Sequence, residues 1–126
     1  MSSILETIEQ TLSALAEDMK YPFTGGVYYG ICTAQHLDEW NFFVFERVEE
    51  EVTNDKSVTS YYEVRVVHED YVDEDYTFEV VKALKEAVPG LSTSGRIKYE
   101  SRLKGDTNVR VEMAVIPLKK ARKIDV

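Results

Sequence analysis

The sequence predicts a two-layer α+β domain, with two helices packed on one face of a mainly antiparallel five-stranded sheet in the order α-β-β-β-α-β-β. Three observations lead there. Two segments carry apolar residues at helical spacing, and five others are rich in β-branched and aromatic residues. The third is size: 126 residues, 44% of them apolar, with one Trp, eight Tyr and five Phe, make one domain with a real core and are too few for two.

The first helix places Ile4, Leu5, Ile8, Leu12, Leu15 and Met19 on one stripe, with Glu6, Glu9, Gln10, Glu17 and Asp18 elsewhere around the wheel. Ser3 with Glu6 three residues later reads as a capping box, and Pro22 ends the segment. The Gly25-Gly26 turn then leads into a strand over 27–33. Residues 40–48 (WNFFVFERV) are nearly all apolar, as in a strand covered on both faces or buried at a subunit contact. The acidic stretch 49–57 reads as a loop. Residues 60–68 alternate, with Tyr62, Val64 and Val66 opposite Glu63 and Arg65, so the two strands form an antiparallel hairpin with a long charged connection.

The second helix spans 73–88, capped by Asp73 or Asp75 and carrying Val80, Val81, Leu84 and Val88, helped by Phe78, on its buried stripe. Pro89-Gly90 ends it. Two strands follow over 93–103 and 108–118, joined by the turn-forming Lys104-Gly105-Asp106-Thr107. Val109, Val111, Met113 and Val115 share one face of the last strand, and Ala114 and Ile116 lie on the other. The domain thus covers 1–118, and Pro117 with the basic run behind it closes the ordered chain, leaving 119–126 as a basic tail.

Charge divides the chain. Residues 1–95 hold nineteen Asp/Glu and six Lys/Arg (6 − 19 = −13), whereas 96–126 hold nine Lys/Arg and four Asp/Glu (9 − 4 = +5), for a net of −8. Such a dipole bears on association more than on chemistry. The acidic total opposes general nucleic-acid binding. No uncharged run approaches the roughly 18 residues of a membrane span. Met1–Glu6 has neither a basic n-region nor an apolar h-region, and Cys32 is the sole cysteine, placed among apolar residues as a small buried hydrophobe. A reducing cytoplasm is the expected compartment, with no cofactor and no membrane partner.

Catalytic signatures are missing from the sequence. His36 and His68 stand near no nucleophile elbow, and Gly25-Gly26-Val27-Tyr28-Tyr29-Gly30 lacks the lysine of a phosphate loop. His68, Glu69, Asp70, Asp73, Glu74 and Asp75 are dense in ligand atoms but lack the spacing of a calcium loop, and read as a solvated entry to the second helix. The chain is expected not to be an enzyme, with a divalent-metal enzyme using this cluster as a minor alternative.

Residues 61–123 carry a resemblance. The strand YEVRVVHED (62–70), the helix end ALKEAVPGL (83–91) and the segment KGDTNVRVEMAV (104–115), followed by basic residues, resemble the tail terminator (tail completion) proteins of long-tailed phages and prophages of Gram-positive bacteria. The opening helix and aromatic second strand fit the same order. The resemblance implies a six-membered ring that caps the tail tube, stops its polymerisation and offers a surface to head-completion proteins. It would act first in the host cytoplasm and then in the virion tail, with DNA passing through the ring but not specifically bound. Glu49, Glu50 and Glu51 on one side, and Lys119, Lys120, Arg122 and Lys123 on the other, are the candidate contact residues, since unlike charges suit head-to-tail docking. A cytoplasmic α+β protein-binding module, or another head–tail joining or minor tail protein, is the alternative.

Overall fold

Helix α1 (Ile4–Ala16) starts where the capping signal places it, with the Glu6 N–H donating to the Ser3 hydroxyl at 3.1 Å. Its apolar stripe buries Ile8 and Leu12 completely. The structure, a computed structural model, describes residues 3–18, 22–34 and 37–124, so Met19 and His36 lie outside the described residues.

The architecture is α+β, as expected, but the sheet is mixed and has six strands: β1 (Val27–Tyr29), β2 (Phe42–Asn54), β3 (Ser57–Glu69), β4 (Ser92–Thr93), β5 (Lys98–Leu103) and β6 (Arg110–Lys123). The order across it is β1-β2-β3-β6-β4, with β5 also on β6. Every pairing is antiparallel except β1 with β2. The exception has a physical cause. Gly30, at φ +79°, ends β1 early, and residues 30–41 give the chain the length of about a dozen residues that a parallel return needs. The Gly25-Gly26 turn is tight against that return, since a Cβ on Gly25 would sit 2.8 Å from the Asn41 carbonyl oxygen.

The single strand expected over 93–103 is two short ones. Ser94 N–H donates to the Pro117 carbonyl at 3.0 Å, and the chain bends away over 94–97 before β5 resumes pairing along β6. Pro117 does not end the last strand. Its carbonyl, and with it the position of its missing N–H, faces β4 rather than β3, so the β3–β6 ladder runs without interruption from Glu69↔Val111 to Ser57↔Lys123.

The largest correction concerns the acidic loop and the basic tail. Residues 49–54 are the outer half of β2, joined to β3 by a turn at Asp55-Lys56, and residues 119–123 are the outer end of β6. Charge suggested solvated loop and tail, yet exposed edge strands accept charged side chains readily.

Helix α2 (Tyr76–Ala87) begins later than expected. Asp75 occupies the cap position at φ 67° but makes no side-chain cap bond; the Tyr76 N–H donates to the Asp73 backbone carbonyl instead. Val80 and Leu84 are fully buried, whereas Phe78 is 61% exposed and belongs to no buried stripe. Both helices pack on the sheet face carrying Phe43, Phe45, Tyr62, Val64, Val66, Ala114, Ile116 and Leu118. Phe23 stacks on Phe43 (4.5 Å between centroids) and on Tyr76 (5.3 Å), closing the core near the Gly25 turn. On the other face Phe42, Val44, Val67 and Val111 form a smaller cluster with Tyr28, half-buried Cys32, Leu37, Trp40 and Met113 packed against it. β2 is therefore covered on both faces at its start, and only there.

Candidate functional site

Along the three central strands the main core cluster ends at Phe45, Tyr62 and Leu118. Beyond them the three central strands run on as an arm: 46–54 of β2, 57–61 of β3 and 119–123 of β6. From Tyr62 to Ser57 this adds about 16 Å of strand. β3 lies in the middle, so acidic β2 and basic β6 form the two edges. Among the described residues no strand pairs with 46–54 or with 120–123 from outside.

The alternation of strand side chains sorts the seven charged candidates between two faces. On the helix side lie Glu50, Lys120 and Arg122. The Glu50 carboxylate accepts from the Ser60 hydroxyl at 2.9 Å and from Arg122 Nη2 at 2.8 Å, while Arg122 Nε donates to the Ser60 Oγ at 3.1 Å. Ser60 itself is fully buried beneath them. The Ser60 hydroxyl first, and then the Arg122 guanidinium, hold the Glu50 carboxyl below its ordinary range. Lys120 donates to the Pro89 carbonyl just past the end of α2. The structure thus brings Glu50 and Arg122 together within one chain and uses Lys120 to tie the base of the arm to the helix.

The opposite face differs. Glu49 pairs with Tyr61 and Glu51 with Thr59 on one side of β3, while Lys119 and Ala121 pair with the same two residues on the other. Glu49, Glu51, Lys119 and Lys123 make no ion pair with any described residue. On this face β3 lies between the carboxylates of β2 and the lysines of β6, two strand spacings or roughly 10 Å across the sheet.

The second-helix approach shows no assembled centre. Among the described residues no group of three or more His, Cys, Asp or Glu is arranged to hold a metal. Glu69 takes Lys104 and the Trp40 N–H, which hold its carboxyl below the usual range, and Asp70 takes Arg110 at 3.1 Å. The His68 ring lies edge-on to Phe23 and meets the Glu69 carbonyl. The second sheet face has a shallow groove of about 260 Å³ between Ile31, Trp40, Val44, Val111 and Met113, with Ile31 70% exposed. Tyr28 nearby has its hydroxyl pushed up by burial and by Cys32. No helix among the described residues is long and apolar enough to cross a membrane.

Sequence reasoning missed Ser60. Its signal was present, because Ser60 shares the buried phase of β3 with Val58 and Tyr62, and a small polar residue there requires partners reaching in from the neighbouring strands.

No family model matches the chain, and no curated protein matches it. Among solved structures, the fold is similar to that of a protein whose name states no function, at a TM-score of 0.52 and 12% identity, over 98% of this chain and 94% of that one. This likeness concerns the fold alone.

Proposed function

We propose that the protein is a virion structural subunit of the tail-terminator type, a ring component that caps the tail tube, stops its polymerisation and offers a surface to head-completion proteins. The observation that carries this reading is the arm: one edge acidic, the other basic, both without a partner strand among the described residues. Unlike edges on one subunit favour a heterologous, head-to-tail contact, which closes into a ring when the rotation per copy allows it. The resemblance of 61–123 to phage tail terminators supplies the ring size of six and the partners, tail-tube and head-completion proteins. In this reading the acidic segment 49–57 faces either a neighbouring ring or the channel, where its carboxylates repel translocating DNA. Assembly takes place in the host cytoplasm and the finished ring stays in the virion tail.

The direct test adds purified protein to growing tail tubes and measures their length by electron microscopy. Growth stops at a set length if the reading holds. Tubes that elongate without limit in its presence, and that bear no added density at their ends, contradict it.

A further inference from the structure

The backbone of the arm specifies more than a charge match. In β6 the Pro117 carbonyl turns away from β3 to accept the Ser94 N–H, and the ladder with β3 has no bulge, so Lys119, Ala121 and Lys123 turn their N–H and C=O groups the same way. Lys119 faces β4, where it pairs with Ser92. Ala121 and Lys123 remain as the outward-facing positions of that edge. In β2 the Phe43 N–H and the Phe45 carbonyl turn outward to β1. Irregularities between Arg47 and Glu49, and between Val52 and Asn54, bound a regular stretch in which Glu50 and Val52 face outward.

β2 and β6 each run antiparallel to β3, so they are parallel to one another. A second copy in the same orientation therefore brings its β6 edge alongside the first copy's β2 edge as a parallel pair. In a parallel ladder one outward residue bonds to the two residues flanking its opposite number. Glu50 between Ala121 and Lys123 satisfies this rule, which places Arg122 of the second copy opposite Glu50 and Lys123 opposite Glu51. The latter pair falls on the face where neither residue has an ion pair with any described residue of its own chain. Pairing β2 with β2 sets carboxylates against carboxylates, and pairing β6 with β6 sets cations against cations, so both like pairings are disfavoured.

We infer that copies of this chain join by parallel strand addition, the β6 edge of one seated on the β2 edge of the next with Lys123 opposite Glu51. The inference deepens the self-assembly part of the proposed function and rests on it. Cross-linking tests the register. In a Cys32→Ser background, Glu51→Cys and Lys123→Cys cannot bridge within one chain, because β3 lies between them and two strand spacings come to roughly 10 Å, whereas a disulfide needs α-carbons within about 7 Å. Under oxidation the double variant is expected to give a ladder of covalent species extending beyond dimer, and each single variant dimer at most. Amide exchange on the unsubstituted protein, slowed at Glu50, Val52 and Lys123 upon assembly, gives the same answer without substitutions. Assembly by light scattering without the ladder and without slowed exchange overturns the strand-addition register but leaves the ring reading standing. A protein that stays monomeric at every concentration, alone and with tail tubes, overturns both.

Discussion

Glu50 and Arg122, 72 positions apart in the chain, meet at 2.8 Å over the buried Ser60 hydroxyl, joining an acidic strand to a basic one across the strand between them. The contact turns two oppositely charged segments into the borders of one structural unit. It neutralises one charge from each border on the helix-side face and leaves Glu49, Glu51, Lys119 and Lys123 on the other.

Because Glu50 and Arg122 are both substantially exposed, the ion pair contributes little alone, about 0.2–1 kcal/mol. Ser60 is different. Ser60→Val removes the hydroxyl that donates to Glu50 and accepts from Arg122 and adds bulk in a packed site, so urea denaturation is expected to show a loss of about 1–3 kcal/mol. Arg122→Ala, measured the same way, is expected to lose less.

Acid sensitivity follows from two carboxyls held below their ordinary value, Glu50 by Ser60 and Arg122, and Glu69 by Lys104 and the Trp40 N–H. For a group with a lowered folded-state pKa, the stabilisation is fully present above the unfolded value, near 4.5, and is lost as pH falls through the folded one. Denaturation midpoints measured downward from pH 6 are therefore expected to fall below about pH 4.5. Glu69→Gln is expected to be less stable at pH 6 and to show a shallower fall.

Phe43 is fully buried at the junction of α1, the sheet and the Phe23 stack, so Phe43→Ala is expected to lose about 3–5 kcal/mol by thermal or chemical denaturation.

Gly25→Ala tests the parallel return of β1. Its β-carbon lands 2.8 Å from a backbone oxygen that cannot move without disturbing the entry to β2, and a loss of about 1–3 kcal/mol is expected.

Much of this was legible in the residues, for reasons that can be named. The stripe through Ile8 and Leu12, the hydroxyl cap at Ser3 and the alternation through Tyr62, Val64 and Val66 are local patterns tied directly to burial. What misled was charge. Glu49, Glu50 and Glu51 read as loop because a run of carboxylates is costly in a central strand, but they lie on an edge, where only one neighbour is needed and that neighbour is the nearly neutral 57–61 of β3. Lys119 to Lys123 read as tail because Pro117 precedes them, and whether a proline breaks a ladder depends on which side its nitrogen faces, a property of register that no local pattern encodes. The parallel β1 was hidden likewise, since a dozen residues that return the chain for a parallel pairing and a long hairpin connection look alike in composition. The candidate site was therefore visible as two sets of charges, and the strand between them was not.

Sedimentation velocity on two charge-reversed variants tests the central claim, that unlike edges dock copies head to tail. One carries Glu49→Lys and Glu51→Lys, so that all four of these positions on the face away from the helices are basic, and the other carries Lys119→Glu and Lys123→Glu, so that all four are acidic. The account predicts that each variant alone sediments as a monomer at concentrations where the unaltered protein assembles, and that mixing the two restores assembly. Assembly of either variant alone to the size of the unaltered protein, or a mixture that remains monomeric, would contradict it.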